Sequence, residues 1–268
     1  MKDVRIHMKM IARKKEHMLG VALLSGYVLL TLVYYIKQSH GADMQNMYAP
    51  YEYDALSDWS VFYQYLYTMF PFVIVLFSGF SFFHDMDSGE MALLQTRMGL
   101  KKYYRTKLLA IGIVASLSFA LPFLAGLFLD WITFPNRVGV FSNVPPYSTD
   151  YERFGLNISS WYFRHPWLYH IYKIFLLAIF TGIAVMFTSL FAFYHFHFRI
   201  LFFLPFYILC LLSSLVSSLF QGGSTSIQKY ITSEGNVNFQ IPGYLFFWIV
   251  VLGLGTVLLL WNVERKIL

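Results

Sequence analysis

The chain has 268 residues, 57% hydrophobic, 20% aromatic and only 13% charged, with a formal net charge of +6 and a mean hydropathy of +0.55. That balance excludes a soluble domain of this length and predicts an integral membrane protein. Its excess of bases is accounted for by orientation and lipid-headgroup contact, so no nucleic-acid partner is implied, and the single cysteine, Cys210, excludes an internal disulfide.

Residues 1–17, MKDVRIHMKMIARKKEH, place Val4, Met8, Ile11 and Ala12 at helical spacing with bases over the remaining surface. The spacing predicts an N-terminal amphipathic helix lying at the membrane interface. The plainer reading, a positive flank for the first span, stays open.

Six stretches without Asp, Glu, Lys or Arg follow: 18–36, 59–83, 108–129, 174–194, 200–220 and 241–263. Each is long enough to cross roughly 30 Å of hydrocarbon at about 1.5 Å per residue. None alternates with period two, so helices and not barrel strands are expected. The expected fold is all-α, one permease-like membrane domain over 1–268 with six transmembrane helices. The first run follows a basic start, as a signal peptide does. It has no small-residue cleavage site before Lys37 and reads as a retained helix.

Lys and Arg in the connecting segments set the orientation. The start carries Lys2, Arg5, Lys9, Arg13, Lys14 and Lys15, and segment 84–107 carries Arg97, Lys101, Lys102, Arg105 and Lys107. Arg199, Arg265 and Lys266 fall on the same face. The opposite face has fewer bases over longer loops, so both termini are expected in the cytoplasm of a multi-pass plasma-membrane protein.

Outer segment 37–58 is polar and acidic. Segment 130–173 is broken by prolines and ends in WYFRHPWLYHIY, whose Trp161, Tyr162, Phe163, Trp167, Tyr169 and Tyr172 suit an interfacial aromatic belt. In the fifth run, Ser213 with Ser217 and Ser214 with Ser218 are small residues four apart, which allow a neighbouring helix to approach closely, within the chain or from a second copy.

Segment 82–112, FFHDMDSGEMALLQTRMGLKKYYRTKLLAIG, is unlike the rest. Burying Asp85, Asp87, Glu90 and Arg97 in hydrocarbon costs up to about 3 kcal/mol each, which predicts that the segment emerges into water. Asp87 and Glu90 have capping-box spacing, Met91, Leu94 and Met98 recur at i, i+3 and i+7 beside Leu93, and Gly99 is a helix stop. A short cytosolic helix between the second and third spans is expected. After it, Lys101, Lys102, Tyr103, Tyr104, Arg105 and Lys107 suit re-entry through the inner headgroup layer, together with Arg13, Lys14 and Lys15. An apolar helix face there lies on lipid or fills a groove on a partner.

Other constellations carry little. A zinc site at His195 and His197 lacks a third ligand, because His165 and His170 are expected on the other face. DMDSGEMALLQTR echoes the metal motif of phospholipid-headgroup transferases, without the further aspartates that motif needs. The runs offer no carboxylate for intramembrane proteolysis or for proton or sodium coupling. No G-x-x-x-x-G-K-[ST] phosphate cradle occurs; GGSTS at 222–226 lacks the Lys. The chain itself is therefore expected to be no enzyme and to hold no metal or cofactor.

Asp87, Ser88, Gly89, Glu90, Leu93, Leu94, Arg97, Tyr104 and Lys107, with the six-span outline, resemble the corresponding segment of ABC-2 type transporter permeases. The resemblance implies the membrane subunit of a bacterial ATP-driven exporter. Residues 87–98, with Met91 and Met98, would be its coupling helix, set in a cleft of a separate ATPase that holds the ATP and Mg. It also implies a second permease copy or paralogue contacted through Ser213, Ser214, Ser217 and Ser218. The cargo would be hydrophobic or amphipathic: an antimicrobial or toxin-like peptide, a lipid or a drug. Family members often carry an apolar re-entrant hairpin between spans five and six, whereas 221–240 is polar here. The other reading is a non-transporting membrane protein: an enzyme with Asp85, Asp87 and Glu90 at its cytosolic face, or an immunity or sensor subunit.

Overall fold

The computed structural model describes residues 2–41, 55–56, 62–134, 165–194, 202–219, 227 and 241–267. The aromatic residues Trp161, Tyr162 and Phe163, the pair His195 and His197, and segment 221–240 apart from Ile227 lie outside the described residues, as do the side chains of Ser217 and Ser218.

Among the described residues every regular element is helical. In chain order they are α1 (Lys2–Ala12), α2 (Lys15–Ser39), α3 (Tyr63–Ser78), α4 (Ser81–Asp87), α5 (Glu90–Met98), α6 (Leu100–Thr133), α7 (Pro166–Ser189) with a 3-10 extension (Leu190–Phe193), α8 (Leu204–Leu219) and α9 (Ile241–Ile267). Four of them, α2, α6, α7 with its extension and α9, are long and apolar enough to cross a membrane. They mark the chain as membrane-embedded. The expected second span is a bent pair, α3 and α4, turned by 42° across Gly79 and Phe80, and it makes a fifth crossing if read as one. In α8 the apolar stretch Leu204–Val216 is shorter than the helices long enough to cross. The expectation of six spans is thus met in part.

Helices α6 and α7 form the buried centre, and their close approach is set by glycine. A Cβ added at Gly182 would lie 2.8 Å from the carbonyl oxygen of Gly112 and collide with Ser116 Oγ. One at Gly112 would meet Met186 Sδ at 2.7 Å. Small residues let two apolar helices gain dispersion contact where no hydrophobic effect separates protein from lipid tails. Around this seam Phe70 meets Phe119 edge-on at 6.0 Å and stacks with Phe180 at 6.4 Å between centroids.

Helices α2 and α9 lie outside, with Leu29, Leu30 and Val33 of the first and Phe246, Leu254 and Val257 of the second exposed. Exposed apolar faces of this length suit hydrocarbon, because the helix backbone already satisfies its own polar groups. The bend between α3 and α4 also depends on glycine: a Cβ at Gly79 would sit 2.6 Å from the Val75 carbonyl and 3.2 Å from the Phe202 ring.

Helix α1 has Val4 and Met8 half-buried against the core and His7 and Ile11 buried, with Arg5, Ile6 and Lys9 exposed. Its apolar stripe packs on α6. Ala12, expected on that stripe, is exposed. The helix ends at Ala12, short of the expected residue 17, because Lys14 takes an extended conformation (φ −75°, ψ 142°) before α2 begins.

Candidate functional site

One end of the bundle gathers most of the charge. It carries α1, the start of α2, all of α4 and α5, the start of α6 and the last turns of α9. Two glycines segment the chain there, Gly89 at φ +72° before α5 and Gly99 at φ +80° after it. Both lie in the left-handed region, where other residues are strained. Gly99 breaks the helix where the sequence places a stop. The expected capping box of Asp87 with Glu90 does not form, because Asp87 is still the last residue of α4. The Ser88 hydroxyl accepts instead from the Glu90 N–H at 3.4 Å, and donates to the Asp85 carbonyl at 3.5 Å.

Asp85 is the correction of most consequence. The sequence predicts that it emerges into water with Asp87, Glu90 and Arg97, yet it is fully buried while those three are exposed. Its Oδ2 accepts from Lys107 Nζ at 2.7 Å and from the Tyr103 hydroxyl at 2.6 Å, and Lys14 Nζ reaches Oδ1 at 3.3 Å. A carboxylate can leave water when cations and donors take up its lone pairs, so the cluster substitutes for solvent. Tyr103 and Lys107, four apart on α6, share the face that looks at α4. Tyr103, Tyr104 and Lys107 were expected in the headgroup layer and are wholly buried. Phe82 and Phe193 wall the cluster, with Phe82 6.4 Å from Tyr103 and Phe193 5.2 Å from Tyr104.

The other expected interface bases sit at the rim. Arg13, Lys15, Lys101, Lys102 and Arg105 are exposed, and Lys14 is half-buried. Lys102 pairs with Asp3 at 2.7 Å, and that hydrogen bond and charge hold the Asp3 carboxyl below its ordinary pKa. Arg105 binds Glu264 of α9 through two bonds, at 3.1 and 3.3 Å, which ties the end of the chain to the start of α6. His84 Nε2 lies 3.0 Å from Glu16, and His17 Nδ1 is 2.6 Å from the Phe77 carbonyl, so α2 is fastened to both α3 and α4.

Helix α5 is held to this base and exposed elsewhere. Gln95 Nε2 donates to the Tyr104 hydroxyl at 3.4 Å, and Met91, Leu94 and Met98 are half-buried against the core. No residue of α5 is fully buried, and Leu93 is 65% exposed. Ser88, Gly89, Glu90 and Arg97 are exposed around it. Of the expected residues 87–98, Asp87 ends α4, Ser88 and Gly89 make the turn, and 90–98 form the nine-residue helix α5, joined to α6 by the Gln95–Tyr104 bond.

Of the serines on α8, Ser213 is buried; it donates to the Cys210 carbonyl at 2.7 Å and accepts from the Ile227 N–H at 3.1 Å. Ser214 is half-buried and donates to the same carbonyl at 3.1 Å. At the opposite end of the bundle Lys173 is buried, its ammonium 3.0 Å from the Leu56 carbonyl, and Asp130 is buried near the end of α6. Among the described residues no three His, Cys, Asp or Glu side chains are placed to hold a metal ion.

Sequence reasoning missed His7. It completes the stripe 4, 7, 8, 11 on α1, and the spacing was legible, but a histidine among bases reads as surface. Burial first, and the charge of Lys107 second, hold its pKa below the ordinary value. Set beside known proteins, the chain matches no family model, no curated protein and no solved structure.

Proposed function

We propose that the chain is the membrane subunit of an ATP-driven ABC-2 exporter, with its charged end in the cytoplasm and α5 as the helix that a separate ATPase grips. The observation that carries this reading is α5 itself: nine residues with none fully buried and Leu93 exposed, bonded through Gln95 to Tyr104 beside the buried Asp85–Lys107 pair. A helix that only reversed the chain would need neither an exposed leucine nor a buried ionic base, because a few residues suffice for a hairpin. The resemblance at Asp87, Ser88, Gly89, Glu90, Leu93, Leu94, Arg97, Tyr104 and Lys107 supports it from the sequence side.

The mechanism follows from a two-state equilibrium. ATP binding by the partner moves α5, the turn at Ser88 passes that movement into α4, and the Asp85 carboxylate passes it on to Lys107 and Tyr103 of α6. ATP shifts the equilibrium only as far as it favours one arrangement of the partner over the other. The α3–α4 bend at Gly79 is where α4 can turn without dragging the rest of the span. The cargo is a hydrophobic or amphipathic molecule, in keeping with apolar runs rich in Phe, Tyr, Trp and Met that carry no Asp, Glu, Lys or Arg. Of the four serines, Ser213 is buried and bonded within the chain, and Ser214, Ser217 and Ser218 remain the proposed contact with a second permease copy.

The enzyme reading has less support, since Asp85 is committed to ion pairs while Asp87 and Glu90 lie exposed and apart from it. The two are separated by purifying the chain from its native membranes. The exporter reading requires an ATPase at fixed stoichiometry and detergent-stable ATP hydrolysis. Catalysis by the isolated chain with no ATPase bound would overturn it.

A further inference from the structure

His7 lies fully buried between α1 and α6, and neither of its ring nitrogens has a hydrogen-bond partner among the described residues. Its ring meets Tyr103 edge-on, 5.7 Å between centroids. The neighbouring places on the same stripe are taken by Val4, Met8 and Ile11, which forfeit nothing on burial. An imidazole there gives up hydrogen bonds that water supplies.

The charged groups facing it come from three sources. Lys107 belongs to α6, Asp85 to α4, and Asp3 lies one turn earlier on α1, bonded to Lys102 of α6. Lys14, on the link into α2, holds the other oxygen of Asp85. Both carboxylates are already engaged, and the buried cluster has two ammonium groups for one carboxylate. An imidazolium at position 7 adds a third positive charge with no acceptor left for it.

The polar fastening at the start of α1 is weak: Asp3–Lys102 is an exposed pair, of a kind that contributes little. At its other end the chain passes through Arg13 to Lys14, whose bond to Asp85 holds that end in place, so α1 lifts from its start and hinges there.

We propose that α1 is a proton-released strap: protonation of His7 lifts α1 from α6 and admits water to the Asp85–Lys107 pair. This stands on the packing of α1 alone and holds whether or not the chain is an exporter subunit. Docked, His7 has a depressed pKa; lifted, it returns to its ordinary value of about 6.5. Docking is therefore fully present above that value. Below it, each pH unit down to the docked pKa favours the lifted form by up to about tenfold.

The test is amide hydrogen exchange over residues 3–12 of the full chain in nanodiscs, between about pH 7.5 and about pH 5.5, corrected for the intrinsic pH dependence of exchange. In the wild type, protection falls as the pH drops through about 6.5, by up to about tenfold across that range. His7→Phe keeps its protection at both values, and His7→Lys lacks it throughout. His17→Gln and His84→Gln control for the other histidines at this end and retain the wild-type response. If His7→Phe does not fold, His7→Gln, polar and non-titrating, takes its place. Protection that does not change with pH in the wild type, a response that survives removal of the imidazole, or one lost in His17→Gln or His84→Gln alone overturns the proposal.

Discussion

Lys107 Nζ lies 2.7 Å from Asp85 Oδ2, and neither side chain touches solvent. The pair joins α4 to α6 across the whole of α5. Removing one partner leaves the other charged and buried, which costs about 3–5 kcal/mol, whereas replacing both with apolar groups of similar volume is far milder. Asp85→Leu should therefore lower the melting temperature in detergent much more than Asp85→Leu with Lys107→Met. A double variant no better than the single one would mean that Lys107 is not what Asp85 holds.

The seam between α6 and α7 makes a sharper steric forecast. Gly182→Ala places a methyl group against the Gly112 carbonyl, and overpacking of this kind costs about 1–3 kcal/mol. Gly26→Ala on α2 meets nothing within 4 Å and should be neutral or slightly stabilising. Thermal unfolding of the two purified variants, side by side, checks the difference in sign.

The Arg105–Glu264 bonds look strong on distance alone, yet the Arg105 side chain is 62% exposed. Solvent screens such a pair, so Glu264→Gln should cost less than about 1 kcal/mol, or under about 4 °C in melting temperature for a chain of this size. A larger loss would show that this pair, and not the Asp85 cluster, fastens the charged end.

Much of the fold was legible because hydropathy runs along the chain in one dimension. Apolar runs mark α2, α6, α7 and α9, and Gly99 marks the turn between α5 and α6. Three-dimensional pairing was not legible in that way. Asp85 and Lys107 flank the charged segment at matching ends, and opposite charges at matching depth on successive helices were the available signal. Solvation cost alone argued for water, because it omits the chance that Lys107, Lys14 and Tyr103 supply the solvation. The bend at Gly79 escaped for a similar reason: a single glycine in an apolar run does not say whether the helix continues. The spacing of Val4, Met8 and Ile11 pointed to a helix at the start of the chain, but its packing on α6 depends on His7 and Ile11 being buried together.

The central claim is that a motor protein grips α5. Its most direct test is ATP turnover in the fraction that elutes with the chain from its native membranes, compared between wild type and Leu93→Asp. A charge forced into a desolvated contact at Leu93 should lower the co-eluting hydrolysis at least about tenfold, equivalent to about 1.4 kcal/mol of binding, with the melting temperature of the chain unchanged. Hydrolysis that elutes undiminished with Leu93→Asp, or a chain that still moves cargo with no ATPase attached, would contradict the account.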